Sequence, residues 1–163
     1  MCGITGIIGT GANRGRLTEM MAVQAHRGPD GEGFYIDPNT QAVLGHNRLS
    51  IIDLSAAGDQ PMISNDGRLV VVQNGEIYNY RELKRDLANE YSFRTNSDTE
   101  VLLAAYRKWG VACLDHLIGM FAFVIWDTVE KTAFAARDRF GVKPFYYHKE
   151  ADGTVLFASE IKA

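Results

Sequence analysis

Cysteine is scarce in this chain: two among 163 residues, Cys2 and Cys113. That excludes a disulfide framework and fits a reducing, cytoplasmic setting. The CxxC and HExxH spacings are missing, and His26, His46, His116 and His148 are scattered. No metal site is therefore expected. A basic excess is lacking too: 17 Lys and Arg stand against 20 Asp and Glu, a net charge of −3. That balance argues against nucleic acid or an anionic membrane as partner. No apolar run approaches the roughly 20 residues of a membrane span, and the N-terminus lacks the charged leader and small-residue cleavage site of a secretory signal. Repeats, low-complexity tracts and linkers are absent. The string GTGANRG lacks the GxxxxGK[ST] spacing of a phosphate loop and reads as a strand-to-helix turn.

What is present is one domain of ordinary composition, 46% hydrophobic and 23% charged, large enough for a substantial core. Strands are expected at Cys2–Ile8, Phe34–Ile36, Ala42–Gly45, Leu49–Ile52 and Leu69–Gln73. Four more fall in MFAFVIW, TAFAAR, PFYYH and TVLFAS. NGEI reads as a turn out of Leu69–Gln73. Helices are expected near Leu17–Ala25 and over Tyr78–Asn89, where Tyr80, Leu83 and Leu87 share a face. Ser97 followed by Glu100 forms a capping box that should start a third helix, with Val101, Leu102, Ala105, Tyr106 and Trp109 as its apolar stripe. LVVVQ and MFAFVIW are apolar on both faces, so both faces must be covered. With few helices and closely spaced strands, two packed sheets with helices outside fit better than a doubly wound βαβ fold. The expected class is α+β, a four-layer α/β/β/α sandwich.

Cys2 stands directly behind Met1. Removal of Met1 would leave a thiol and a free α-amine on one residue. An α-amine has a pKa of about 7.7–8.0, so near neutrality part of it is unprotonated and able to take the thiol proton. While Met1 remains, Cys2 has no free amine. On position alone, a small buried apolar residue is an equal reading. Cys113, among apolar neighbours in GVACLDHL, is expected in the core.

The chain resembles the glutaminase domain of class II glutamine amidotransferases, which are N-terminal-nucleophile hydrolases. The blocks that carry the resemblance run in order through nearly the whole sequence: MCGITGIIG, HRGPDGEG, GHNRLSIIDLS, GDQPM, NGEIYNY, NSDTE, GMFAFVIWD, ARDRFGVKPFYY and FASEIKA. HRGPD together with RLSIIDLS favours the glutamine-hydrolysing asparagine synthetases within that group. The resemblance implies that Cys2 attacks the side-chain amide of glutamine. It implies that Asn74 (through its side-chain amide) and Gly75 (through its backbone N–H) form the oxyanion hole. It assigns Arg48 to the α-carboxylate, as a bidentate guanidinium. Asp98 is assigned to the α-ammonium with help from Glu76, and the backbone of Leu49, Ser50, Ile51 and Ile52 to the pocket wall.

The residue-level alternatives are a hairpin turn at Asn-Gly, a surface arginine, and an acidic first helical turn. Arg27 reads as a loop anchor near the nucleophile, and His26 as structural. ARDRFGVKPFYY reads as a salt-bridged surface, or as an interface towards a partner domain. Residues 1–163 read as a glutaminase domain shortened at its C-terminal end. No Ser-Gly-Gly-x-Asp-Ser string occurs, so no cofactor is expected here. ATP and Mg would belong to a synthetase domain outside this chain, which would receive the ammonia. The resemblance is compatible with a homodimeric full-length protein. Competing readings are an N-terminal-nucleophile amidase acting on another amide and a non-catalytic docking or regulatory module.

Overall fold

A computed structural model describes residues 1–39, 41–53 and 55–163; Leu54, inside the RLSIIDLS block, lies outside them. The described residues build nine strands in two antiparallel sheets. The first sheet contains β1 (Gly3–Ile8), β2 (Gly31–Ile36), β3 (Ala42–Arg48), β8 (Tyr146–Lys149) and β9 (Val155–Ala158), in the order β2-β3-β1-β9-β8. The second contains β4 (Met62–Ile63), β5 (Leu69–Ile77), β6 (Gly119–Asp127) and β7 (Thr132–Arg137), in that order. Helix α1 (Arg14–Val23) covers the outer face of the first sheet, where Leu17, Met20 and Met21 meet Ile7, Val43 and Leu156. Helices α2 (Tyr80–Leu87) and α3 (Asp98–Trp109) cover the second, packing Leu83, Leu87 and Leu102 on Val71 and Phe123. Between the sheets lie Ile4, Leu44, Val70, Val72, Val124 and Trp126. This is the four-layer α/β/β/α sandwich expected from strands that are apolar on both faces.

Alternation along β5 does the sorting. Val70 and Val72 point between the sheets, whereas Leu69 and Val71 point at the helices. Fully burying such a side chain contributes about 1.5–3 kcal/mol. Cys113 is fully buried in the helix-side core, and burial pushes its thiol up to about 11. It is a packing residue, as expected.

Local expectations fail in three places, each for a long-range reason. Leu49–Ile52 is not a strand. Arg48 pairs with Gly31, and Asn47 with Gly3, and β1 begins there, so the residues after Arg48 have no β1 partner to continue against. NGEI is not a turn. β6 is nine residues long and pairs with β5 as far as Ile77 opposite Gly119, which draws Asn74–Ile77 into the strand and moves the chain reversal to Tyr78–Asn79. The capping box is half formed. Ser97 Oγ accepts from the Thr99 N–H at 3.2 Å, but Glu100 turns away to accept from the Arg94 and Thr95 N–H groups at 3.0 and 2.7 Å. GTGANRG behaves as expected: Gly9 takes φ +122° at the turn, and Asn13 caps α1 by accepting from the Arg16 N–H. The 138–143 loop is held less by ion pairs than by backbone groups. Asp138 accepts from the N–H groups of Phe121, Phe140, Val142 and Lys143.

Candidate active site

Four separate segments converge on one small cavity. Its lining includes Cys2 from the residue before β1, His46 and Arg48 from the end of β3, and Leu49, Ile51 and Ile52 from the loop that follows. Gly58 and Gln60 come from further along that loop, Gln73, Gly75 and Glu76 from β5, and Ser97, Asp98 and Thr99 from the start of α3. The cavity measures about 40 Å³, room for about three waters. A larger apolar cavity of 580 Å³ lies elsewhere, lined by residues such as Ile8, Val124, Ala135, Phe145 and Phe157; none of the predicted site residues lines it.

Cys2 is half-buried, and its Sγ sits 3.4 Å from the Leu49 N and 3.5 Å from the Leu49 O. The residue is held by Arg27, whose Nε donates to the Cys2 carbonyl at 2.9 Å while Nη1 donates to Glu160. His26 meets the same carboxylate at 2.8 Å. Arg27 thus holds the backbone at Cys2, and His26 shares its carboxylate partner.

Asn74 lies on the face of β5 that Val70 and Val72 also occupy, turned towards the first sheet. It is 1% exposed and its Nδ2 has no hydrogen-bond partner among the described residues. A buried unpaired donor costs about 1–3 kcal/mol, which leaves this amide with unused hydrogen-bonding capacity. Gly75 follows on the cavity wall. A Cβ there would stand 2.3 Å from the Met120 carbonyl oxygen and 2.6 Å from Phe121 Cα, so the approach of β6 itself demands glycine.

Asp98 opens α3, capped by Ser97. It is 5% exposed, and its Oδ2 accepts from the Ile77 N–H at 2.9 Å and from Gln73 Nε2 at 3.1 Å. Burial holds its carboxyl above the usual carboxylate range, although these hydrogen bonds oppose the shift. A cation arriving at this carboxylate would offset that burial. His46 is 1% exposed and its Nε2 lies 3.2 Å from the Gln73 carbonyl. Burial, aided by Arg48, pushes it down to about 4, so it is neutral at physiological pH.

Arg48 is largely enclosed by the loop after β3. Its Nη1 donates to the Ser55 carbonyl at 3.0 Å and to Asp59 Oδ1 at 2.5 Å, and its Nη2 to the Asp53 carbonyl. Of the predicted residues, Cys2, Arg48, Leu49, Ile51, Ile52, Gly75, Glu76 and Asp98 line the cavity, whereas Asn74 and Ser50 do not; Asn74 lies beside it on β5, turned towards the first sheet. The Ser50 N–H donates to Asp30 Oδ2 at 2.8 Å. Sequence reasoning missed Gln60, whose Oε1 accepts from the Gln73 N–H at 2.6 Å while Nε2 donates to Thr99 Oγ1 at 3.1 Å. It ties loop, strand and helix together. Its only sequence signal was its place in the GDQPM block. His46, Gln73 and Gly58 were missed as well.

A two-sheet sandwich with a cysteine immediately ahead of the central strand of its first sheet, opening on the cavity that Arg48 and Asp98 also line, fits the N-terminal-nucleophile amidotransferase class. Within it, this chain belongs to the glutamine amidotransferase domain family, whose model matches residues 1–163. It is 44% identical over 169 residues to the glutamine-hydrolysing asparagine synthetase 2 of Bacillus subtilis, covering 100% of this chain and 22% of that protein. It is 43% identical to asparagine synthetase 2 of Oryza sativa, covering 100% and 28%. It is 46% identical to the amidase chry2 of Gibberella zeae, covering 85% and 21%. Among solved structures it is similar to the glutamine phosphoribosylpyrophosphate amidotransferase of Bacillus subtilis, with a TM-score of 0.78 and 26% identity over 98% of this chain and 42% of that one. The chain thus spans about a quarter of the length of the curated relatives it matches. No helix among the described residues is long and apolar enough to cross a membrane.

Proposed function

We propose that this chain hydrolyses glutamine to glutamate and ammonia through a glutamyl thioester on Cys2, and that the ammonia serves an ATP-dependent synthetase of the asparagine-synthetase type. The observation that carries the reading is the convergence of Cys2, Arg48, Gly75 and Asp98 on one cavity from four segments. A thiol, a carboxylate-binding guanidinium and an ammonium-binding carboxylate match the reacting amide and the two charged ends of a free amino acid.

Once Met1 is removed, the α-amine of Cys2 takes the thiol proton and sulfur adds to the side-chain carbonyl carbon of glutamine. The oxyanion is met by Asn74 Nδ2 and the Gly75 N–H. The ammonium returns its proton to the leaving nitrogen, the C–N bond breaks and ammonia departs. Water then adds to the thioester with the same amine as base, and glutamate leaves with the thiol restored. The cavity is narrow, about 40 Å³, and in its lining the loop carrying Leu49, Ile51 and Ile52 is the wall without strand or helix pairing. ATP and Mg take part in none of these steps. They would act in a synthetase segment fused to this domain, as the quarter-length match to asparagine synthetases suggests.

Cys2→Ala should abolish glutamine hydrolysis while leaving the circular-dichroism spectrum and melting temperature close to the parent's. Activity retained in that variant would refute the proposal. The amidase relatives favour one second reading, hydrolysis of a different amide. Arg48 and Asp98 speak against it, and the comparison of glutamine with N-acetylglutamine decides. Equal turnover of the two would select the second reading.

A further inference from the structure

Arg48 is already holding a carboxylate. Asp59 Oδ1 lies 2.5 Å from its Nη1, and the other Nη1 bond goes to the Ser55 carbonyl at 3.0 Å. We infer that Asp59 is a built-in competitor for the carboxylate seat on Arg48, and that it weakens the protein's grip on glutamine. This rests on the reading of Arg48 as the seat of the α-carboxylate.

Three features separate a competitor from a mere prop. The first is that Arg48 does not need Asp59 to keep its place. The carbonyls of Ser55 and Asp53 accept from its two terminal nitrogens, and both carbonyls belong to a turn fixed without Asp59's side chain. In that turn Asp53 Oδ1 accepts from the Ser55 N–H and hydroxyl, and Ser55 Oγ accepts from the Ala57 N–H. Gly58 closes the other side, since a Cβ there would come within 2.7 Å of Arg48 Nη2.

The second feature is asymmetry of burial. The Arg48 side chain is 10% exposed, whereas Asp59's is 61% exposed. Asp59 has water to go to when displaced, which Arg48 has not.

The third is charge. Whether Asp59 swings out or stays beside the bound substrate, its negative charge opposes a second carboxylate at the same guanidinium. For an exposed partner the opposition is modest, so removing it should tighten binding by about fivefold.

The test compares Asp59→Asn, Asp59→Glu and the parent, each with Met1 removed, as the KM and kcat of glutamine hydrolysis. A second readout is the rate of Cys2 alkylation by iodoacetamide, which carries no carboxylate. Asp59→Asn should lower the glutamine KM about fivefold, with the change absent from kcat and from the iodoacetamide rate. Asp59→Glu, which keeps the charge, should stay near the parent. An unchanged or raised KM in Asp59→Asn overturns the inference, because Asp59 would then support Arg48 or be idle. So does an equal gain in the iodoacetamide rate, which would mean a generally opened pocket. Arg48→Lys separates the two levels of the argument. A raised glutamine KM in Arg48→Lys without the Asp59→Asn effect refutes only the competitor. An unchanged KM in Arg48→Lys refutes the carboxylate seat beneath it.

Discussion

The two halves of the site are built from different materials. Asn74, Gly75 and Asp98 sit on a nine-residue strand and at a capped helix start, and every residue of that strand is paired with β6. The described residues of 49–59 form a loop with a 3₁₀ turn at Ala56–Gly58, and Arg48 bonds the carbonyls of Asp53 and Ser55 in it. On the proposed reading, the first half would meet the reacting carbonyl and the ammonium, and the second the α-carboxylate. The difference suggests a division of labour. Oxyanion donors must be aimed before the reaction begins, so they belong on the sheet. The wall that would face an entering amino acid is the loop, which no strand pairing holds.

This contrast predicts where substitutions register. The largest effect should be Asn74→Ala, which removes one oxyanion donor from the sheet half. It should lower kcat by about 10²–10³ with little change in KM and a preserved fold. A loss confined to KM would place Asn74 with the binding half and break the contrast.

Next is an acid effect at His46, on the strand that joins the halves. A histidine whose native pKa lies below its unfolded value keeps its stabilising contribution fully above that value and loses it as pH falls through the interval. Here the interval runs from 6.5 down to about 4. At about 1.4 kcal/mol per unit, the loss is on the order of 3 kcal/mol. Denaturant midpoints measured across that range should fall for the parent, and by distinctly less for His46→Gln.

A pair of glycines sharpens the comparison. Gly75→Ala drives a methyl into β6 backbone that cannot move aside. Overpacking of about 1–3 kcal/mol should lower the melting temperature by about 2–12 °C. Gly58→Ala meets the end of the Arg48 side chain, along with the Asp53 carbonyl. Its smaller effect should appear as a KM raised a few-fold, with a melting temperature shifted by less than Gly75→Ala. Calorimetry of both beside glutamine kinetics tests the pair, and a reversal of the two phenotypes would contradict the division.

The legible parts of the fold were those fixed by local chemistry. Ser97 announced a helix start because a hydroxyl there reaches the Thr99 N–H whatever surrounds it. LVVVQ announced a doubly covered strand through β-branched residues that sheets favour. The failures came where a distant partner outvoted a local signal. Asn74-Gly75 carries a strong turn signature, yet β6 offers Ala122 and Phe121 opposite it, and pairing along a long strand wins over a two-residue preference. Leu49–Ile52 has strand composition but no strand to join. For the site, the motif blocks pointed to Cys2, Arg48, Asn74, Gly75 and Asp98. Gln60 stayed invisible because its value lies in bonds to Gln73 and Thr99, 13 and 39 residues away. Asp59 carried no signal of its own in the GDQPM block; its place on Arg48 is a finding of the structure.

The central claim is that Cys2 is a live nucleophile addressed by glutamine. The most direct measurement is the intact mass of the purified protein before and after 6-diazo-5-oxo-norleucine, a glutamine-like electrophile. The account predicts a chain lacking Met1 that gains a single adduct, mapped to Cys2 and suppressed by excess glutamine. A chain lacking Met1 that gains no adduct, or gains one that glutamine does not suppress, would contradict it.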